Sequence, residues 1–266
     1  MALLLAAIVW GLALYTGYYL YNDSYWMPTA ISDAARQIDS QLVLTMAVTG
    51  VAFFAAQFLL GWFILKYRDR GQAKALYQHG DNRIEIGGMI IVTVVFVAVA
   101  FAGQKVWAQV HLTTSPPNAV HVEITAEQFV WNVRYPGPDG AFGKTDPKFY
   151  EKIGNTVGVD PSDAAGKDDL TVINNLAVPV NTPVELTLRS KDVIHSFFMP
   201  NLRIKQDAVP GMAIPLRFTA NKVGDYEVVC AELCGLTHYR MFAFLKVLEP
   251  ADYQAWLQER AAEVTQ

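Results

Sequence analysis

Long uninterrupted runs of apolar residues dominate the first 106 positions of the chain. Residues 42–65 contain no charged side chain, and residues 86–104 contain none either. Each run reaches the roughly 20 residues that a helix needs to cross the hydrocarbon core of a bilayer. The pattern therefore predicts transmembrane helices over residues 42–65 and 86–106.

The first 21 residues are also uncharged apart from the terminus, and a cleaved signal peptide is the alternative for this stretch. A signal peptide would need a basic leading segment and a small-x-small cleavage site. Neither is found before Asn22 and Asp23. We therefore expect residues 1–21 to form a third, retained transmembrane helix.

The distribution of basic residues predicts the orientation of these helices. Five basic residues separate the second run from the third, whereas the loop between the first and second runs carries one basic residue and three acidic ones. Cytoplasmic loops carry the excess of Lys and Arg, so the N-terminus is expected inside and everything after Val106 outside. The basic residues of the second loop are Lys66, Arg68, Arg70, Lys74 and Arg83, and the charged residues of the first loop are Arg36, Asp23, Asp33 and Asp39. Trp26, Tyr25 and Trp107 suit the aromatic belt at the outer interface of the membrane.

After the third run the pattern changes to short alternating segments with turn signals between them. Such segments predict β-strands, and a series of them predicts an all-β sandwich or barrel over residues 111–266. A helix is predicted at residues 250–264. The predicted strands are residues 120–124, 129–133, 184–188, 214–218, 226–229 and 241–248.

Residues 136–169 interrupt this series with a stretch that is rich in Gly, Pro, Asp and Lys. A loop of this length is either functional or partly disordered. Its charged residues could border a partner surface, or the stretch could be a solvated insertion. Both interpretations stay open.

Composition and charge narrow the class of partner. An apolar fraction of 52% is high for a wholly soluble protein and agrees with membrane segments in a lipid bilayer. Residues 111–266 hold 14 Lys and Arg against 19 Asp and Glu, which disfavours nucleic acid as a partner. The acidic excess favours a basic or dipolar protein that approaches from the outer aqueous space.

The candidate chemistry lies near the end of the chain. The two cysteines of the sequence, Cys230 and Cys234, are four positions apart, His238 and Met241 follow them, and His195 lies upstream. Two thiolates, two imidazoles and a thioether form a soft ligand set that suits copper. We therefore expect an electron-transfer metal centre.

The number of sulfurs bears on the kind of centre. One Cys, two His and a Met would give a mononuclear blue copper site, whereas two Cys allow both sulfurs to bridge two copper ions. His195 with Met241 would then complete one copper, and His238 with a backbone carbonyl, that of Glu232, would complete the other. A ligand loop held between two strands gives such a centre a rigid frame.

Three other interpretations of these residues stay open. Outside the membrane the cysteines could form a disulfide, although it would close a small ring and leave the histidines and Met241 unexplained. A thiol metallochaperone would need a thioredoxin-like α/β scaffold, which the strand pattern does not predict. A structural zinc site fits two Cys and two His but gives the methionine no role.

The run CAELCGLTHYRM at residues 230–241, with DVIHS at 192–196 and KQDAVPG at 205–211, resembles subunit II of the haem–copper cytochrome c oxidases. The resemblance extends from about Gln41 onward. It implies a cupredoxin-like β-sandwich, and with the three predicted transmembrane helices and the short C-terminal helix we expect a membrane-anchored all-β fold. The extra N-terminal helix and the long insertion depart from the common two-helix form of the family. The resemblance also implies a dinuclear copper A centre that passes electrons from a cytochrome c-type donor to a haem in subunit I, where oxygen is reduced to water and protons are pumped. In a bacterium the complex would lie in the inner membrane with the copper domain in the periplasm, and its partners would include other subunits such as subunit III.

The resemblance implies further roles at matching positions. The Glu232 carbonyl would bind copper while its carboxylate would help to hold magnesium or manganese at the interface with subunit I, unless the residue is only a spacer. Asp207 would contribute to the contact between subunits II and I. Glu85 would mark a proton-uptake path, although a glutamate there could instead favour a helix N-terminus.

The chain also departs from the family pattern. Phe129 stands where the family has the tryptophan that receives electrons, while Trp131 remains as a relay candidate or as a packed aromatic residue. The donor could therefore be a membrane-associated cytochrome instead of a soluble cytochrome c. His79, His111 and His121 have no ligand pattern around them.

Two alternatives to the oxidase remain open at this stage. The chain could be the copper A subunit of a nitric oxide reductase, or an extracytoplasmic copper-delivery or thiol redox protein. No haem-binding Cys-x-x-Cys-His occurs in the sequence, so the chain alone is expected to catalyse no bond chemistry and the enzyme activity would belong to a complex.

Overall fold

The computed structural model describes residues 1–22, 27–71, 80–112, 114–150 and 154–264. The chain forms two compact units, one from Met1–Pro28 and Asp39–Val106 and the other from Thr29–Ile38 and Trp107–Gln266. The predictions for Tyr25, Trp26, Lys74 and His79 lie outside the described residues.

The first unit is built from three helices that are long and apolar enough to cross a membrane. They are α1 (Ala2–Asn22), α2 (Asp33–Lys66) and α3 (Asn82–His111). The second and third helices extend beyond the apolar runs at both ends. Helical hydrogen bonding is between backbone groups, so the polar residues that flank an apolar run can continue the same helix.

Small residues allow α1 and α2 to approach closely. The Trp10 ring stacks on Phe58 with centroids 5.9 Å apart, and a Cβ atom built on Gly61 would lie 2.3 Å from the Trp10 indole nitrogen. Glycine therefore leaves the space that the indole fills. Close backbone approach at small residues is a common basis of helix packing in membranes.

The second unit is a β-sandwich of two five-stranded sheets, which agrees with the predicted sandwich. The sheet orders are β3-β2-β1-β5-β8 and β4-β10-β9-β6-β7. The strands are β1 (Val120–Glu127), β2 (Val130–Tyr135), β3 (Leu170–Ile173), β4 (Asn175–Pro179), β5 (Pro183–Ser190), β6 (His195–Met199), β7 (Ile204–Ala208), β8 (Ile214–Thr219), β9 (Gly224–Cys230) and β10 (Phe242–Leu248).

Alternation along the strands places the apolar side chains between the two sheets. In β5, for example, Val184, Leu186 and Leu188 are buried while the residues between them are partly exposed. Helix α4 (Pro250–Val264) packs Trp256 against Tyr135, with ring centroids 5.5 Å apart. Two pairings, β1 with β5 and β4 with β10, are parallel.

Four strands, β3, β4, β6 and β7, were not predicted from the pattern, and the prediction that a strand begins at Phe129 was wrong. Phe129 lies in the turn between β1 and β2. Strand β6 has four buried residues and one partly buried residue, so it shows no alternation, and β7 carries Lys205, Gln206 and Asp207 in its centre. Periodicity does not detect a strand that is buried on both faces or polar in its middle.

The insertion, residues 136–169, is attached to the sheet by a buried arginine on β2. The Arg134 side chain is 1% exposed, and its Nη2 donates to the Gly143 carbonyl at 2.9 Å. It also forms ion pairs with Glu123 at 2.7 Å and with Asp169 at 3.5 Å. The insertion is therefore fixed to one face of the sandwich through Arg134.

Candidate metal centre

The ligand loop, residues 230–241, connects β9 to β10 and is closed at its base by the backbone. The Cys230 N–H donates to the Met241 carbonyl at 3.1 Å, and the Ala231 N–H donates to the Ser196 carbonyl of β6 at 2.9 Å. Strand β6 begins at His195 and pairs with β9 through Phe197 and Cys230. The sheet pairing thus brings an imidazole from a distant part of the chain to the loop, as the sequence predicted.

The sulfur and nitrogen atoms of the predicted ligands converge in the interior. The Sγ atoms of Cys230 and Cys234 are 3.9 Å apart. His195 Nδ1 lies 3.9 Å from the Cys230 sulfur, and His238 Nδ1 lies 3.7 Å from the Cys234 sulfur. The Met241 Sδ atom is 3.7 Å from the Cys234 sulfur, so each thiol has a different histidine beside it.

A backbone carbonyl joins this group. The Glu232 carbonyl oxygen lies 3.2 Å from the Cys230 sulfur, while the Glu232 side chain is exposed. His195, both cysteines and Met241 are buried. The loop and the start of β6 therefore place one carbonyl and four buried side chains around a small volume, with His238 partly buried at its border.

The donor set fits a metal ion. Both cysteines are free, and their separation of 3.9 Å far exceeds the roughly 2.05 Å of a disulfide bond. Two metal–sulfur bonds of about 2.3 Å can together span up to about 4.6 Å, so one ion can contact both sulfurs. Donor atoms of His195, Cys230 and Cys234 lie within 4.8 Å of one another, and thiolate, imidazole and thioether ligands favour copper.

The two thiols differ in acidity. Burial opposes ionisation of Cys230, but hydrogen bonds with His195 and with the backbone of Ser196 outweigh it and lower the pKa to about 6. Burial raises the pKa of Cys234 to about 11, and the charge on Cys230 adds to this effect. These shifts favour a thiolate at Cys230 and a neutral thiol at Cys234, and a cation would be needed to hold two thiolates together.

A carboxylate orients the first histidine. His195 Nε2 lies 2.9 Å from Asp192 Oδ1, and the same carboxylate accepts hydrogen bonds from the backbone N–H groups of Gln128 and Val193 at 2.7 Å. A carboxylate on one ring nitrogen leaves the other free for a metal. The sequence interpretation did not assign roles to Asp192 or Gln128, although an Asp three residues before the ligand was a usable signal.

Both aromatic candidates lie at the centre. Trp131 is fully buried, with its ring 5.9 Å from His195 and 4.9 Å from Phe197 in edge-to-face contacts. A Cβ atom built on Gly235 would lie 3.0 Å from the Phe129 ring, so that ring packs against the ligand loop. The structure thus places one aromatic side chain beneath the centre and one beside its loop.

The remaining candidates are not among the ligand atoms described above. Asp207 pairs with Lys205 at 3.3 Å on β7, and His121 is exposed on β1. Glu85 is exposed in the first turn of α3, in the other unit. His111 packs against Trp107. The proton role of Glu85 and the interface role of Asp207 stay predictions.

Comparison with known proteins identifies the family. The profile of "Cytochrome C oxidase subunit II, periplasmic domain" matches residues 120–248. The "Alternative cytochrome c oxidase subunit 2" of Bradyrhizobium diazoefficiens is 33% identical over 260 residues, which is 97% of this chain and 91% of the relative. The "Cytochrome c oxidase subunit 2" of Cereibacter sphaeroides is 28% identical over 230 residues, 81% of this chain and 73% of the relative.

A solved structure is similar to part of the chain. The periplasmic domain of subunit II of cytochrome oxidase from Bradyrhizobium japonicum is 27% identical with a TM-score of 0.42, and the match covers 56% of this chain and 99% of that domain. The nearly full-length relative carries the assignment. The chain therefore belongs to the cytochrome c oxidase subunit II family, a family of subunits of haem–copper oxidoreductases.

Proposed function

We propose that the chain is the electron-input subunit of a proton-pumping haem–copper terminal oxidase and holds a dinuclear copper A centre. The observation that carries this proposal is the pair of free, buried sulfurs 3.9 Å apart with a different histidine beside each. A mononuclear site needs one thiolate, and the second sulfur fits a shared, two-ion centre.

The ligands divide between the two ions as follows. Cys230 and Cys234 would be shared by both ions, His195 and Met241 would complete one, and His238 with the Glu232 carbonyl would complete the other. When bound, the copper pair would take up one electron at a time from a cytochrome c-type donor and release it toward a haem of subunit I. The protein's part is to hold these donors on paired strands in a buried volume, so that little rearrangement accompanies a change of charge.

The three apolar helices support a multi-pass anchor in a bacterial inner membrane, with the N-terminus in the cytoplasm and the copper domain in the periplasm. Lys66 is the last residue of α2, and Arg68 and Arg70 lie directly beyond it. Basic residues at that end favour a cytoplasmic position for it. Glu85, in the first turn of α3, would then lie near the cytoplasmic surface, where a proton-uptake path would begin.

Exposed apolar side chains on the ligand loop support partner binding around the centre. Leu233 is 78% exposed, Leu236 is 91% exposed and Tyr239 is 80% exposed. Clustered apolar exposure of this kind marks interaction surfaces. We assign these side chains to contacts with subunit I and with the cytochrome donor, and the exposed Glu232 carboxylate to a magnesium or manganese ion at the interface with subunit I.

The proposal is tested on the intact, detergent-solubilised complex. We expect two copper ions per copy of this chain, a mixed-valence electron paramagnetic resonance signal shared by two nuclei, and oxygen uptake with reduced cytochrome c. Growth on manganese should add a bound-manganese signal that Glu232→Ala removes. One labile copper per chain would refute the dinuclear centre, and consumption of nitric oxide without oxygen uptake would point to a nitric oxide reductase.

Trp131→Phe distinguishes an electron relay from simple packing. If the indole carries the electron, reduction of copper by the donor should slow about tenfold, equivalent to about 1.4 kcal/mol of activation free energy. Stopped-flow absorbance measures this rate. Trp256→Phe is the matched control. Trp256 lies in α4 and is also buried, but its ring packs on Tyr135 of β2 and not on a ligand. Equal rates in Trp131→Phe and wild-type protein would assign Trp131 to packing.

A further inference from the structure

We infer that Gln128 is a positioning residue of this centre, joining the two segments that supply its ligands. The inference rests on the proposed function and extends it to a residue that binds no metal itself. Gln128 lies in the turn between β1 and β2, on the opposite sheet from the ligand strands. It reaches the centre from outside the ligand loop.

The Gln128 side chain holds the middle of the ligand loop. Its Nε2 group donates a hydrogen bond to the carbonyl oxygen of Cys234. Cys234 stands between the two closed ends of the loop and faces three other sulfur or nitrogen donors, from Cys230, His238 and Met241. Fixing its carbonyl therefore limits the movement of a sulfur that lies beside three other donors.

The Gln128 backbone holds the other ligand segment. Its N–H donates to Asp192 Oδ2 at 2.7 Å, and Asp192 Oδ1 contacts His195 Nε2 at 2.9 Å. One residue is thus bonded through its side chain to the loop of Cys234 and through its main chain to the carboxylate that orients His195. Outer partners of this kind commonly change metal affinity about 10- to 100-fold when they are lost.

The close approach of the loop to Gln128 depends on Gly235. A Cβ atom at this position would lie 2.8 Å from Gln128 Nε2 and 3.0 Å from the Phe129 ring. The backbone there has φ +141°, a region that L side chains rarely adopt. Any side chain at position 235 would clash with the turn. The glycine therefore allows the ligand loop to contact Gln128.

The two bonds of Gln128 can be separated by mutation. Gln128→Glu preserves the side-chain length and the backbone N–H to Asp192, but it replaces the donor by a carboxylate facing the Cys234 carbonyl. Gln128→Met removes the donor without adding charge. Gln254→Glu, on the exposed surface of α4, makes the same chemical change away from the centre and serves as the matched control.

The experiment compares these variants as intact oxidase complexes. We expect Gln128→Glu and Gln128→Met to retain two coppers per chain, to show an altered copper hyperfine pattern, and to lose copper to excess EDTA about tenfold faster than wild type. Gln254→Glu should match wild type. Thermal unfolding is measured on the same samples, and a changed hyperfine pattern at an unchanged unfolding temperature identifies positioning instead of general destabilisation.

The outcomes also separate this inference from the proposed function. A wild-type complex without a two-copper, mixed-valence signal would overturn the dinuclear centre and this inference with it. A wild-type complex with that signal, together with Gln128 variants whose hyperfine pattern and copper-loss rate equal wild type, would overturn the role of Gln128 alone.

Discussion

Replacing His195 with asparagine is expected to slow electron transfer from the donor into the complex more than about 100-fold, equivalent to about 2.7 kcal/mol of activation free energy. His195 is fully buried, and its Nδ1 atom lies 3.9 Å from the Cys230 sulfur. The asparagine amide nitrogen can take the position of Nδ1 but has no free lone pair for a metal, and asparagine has no counterpart of the Nε2 atom that contacts Asp192. The measurement is stopped-flow reduction of copper and haem by the reduced donor.

His121→Asn is the matched control, because His121 lies on β1 of the same domain with its side chain exposed. It should retain the wild-type rate and both coppers. Full oxygen turnover in the His195→Asn complex would refute the assignment of His195 as a ligand. A loss of rate in both variants would instead point to a general disturbance of the domain.

Cys234→Ser is expected to convert the dinuclear centre into a mononuclear one. One thiolate, two imidazoles and a thioether would remain, from Cys230, His195, His238 and Met241, and this set is typical of a blue copper site. The copper content should fall from two ions to one per chain, the mixed-valence signal should disappear, and oxygen uptake should fall more than about 100-fold. Metal analysis and electron paramagnetic resonance measure the first two effects.

Serine is nearly the size of cysteine, so the fold should persist and the effect should be confined to the metal centre. Cys230→Ser provides the companion test. If both sulfurs are shared by the two ions, loss of either one should abolish the dinuclear centre. Retention of a two-copper, mixed-valence signal in either variant would contradict a centre bridged by the two cysteines.

Much of the architecture could be predicted from the sequence because simple patterns carry it. Residues 42–65 and 86–104 carry no charge and are largely apolar on every face, which suits a helix in lipid. Strands such as β5 alternate strictly, because one side faces the core and the other the solvent. Strands β6 and β7 could not be predicted because they lack that alternation. Strand β6 is buried on both faces, and β7 has polar residues in its middle.

The ligands could be predicted because copper demands particular side chains at close spacing. Their supports could not, because they depend on pairings across the fold. Gln128 is 106 positions from Cys234 and 64 from Asp192, and no local pattern connects such residues. Arg134 reads as an ordinary strand residue, and its role in fixing the insertion appears only when Gly143 and Asp169 are folded against it.

The parallel pairing of β4 with β10 has a consequence for biosynthesis. Asn175 and Leu176 of β4 pair with Phe244 and Leu245 of β10. The edge strand β4 is synthesised early, but it cannot join its sheet until β10, the last strand of the chain, has been synthesised. Met241 lies directly before that last strand, and the Cys230 N–H bonds to its carbonyl. A chain that ends before Met241 lacks the carbonyl that closes the ligand loop. Copper loading is accordingly expected to follow the synthesis of Met241 and the pairing of β10 with β9.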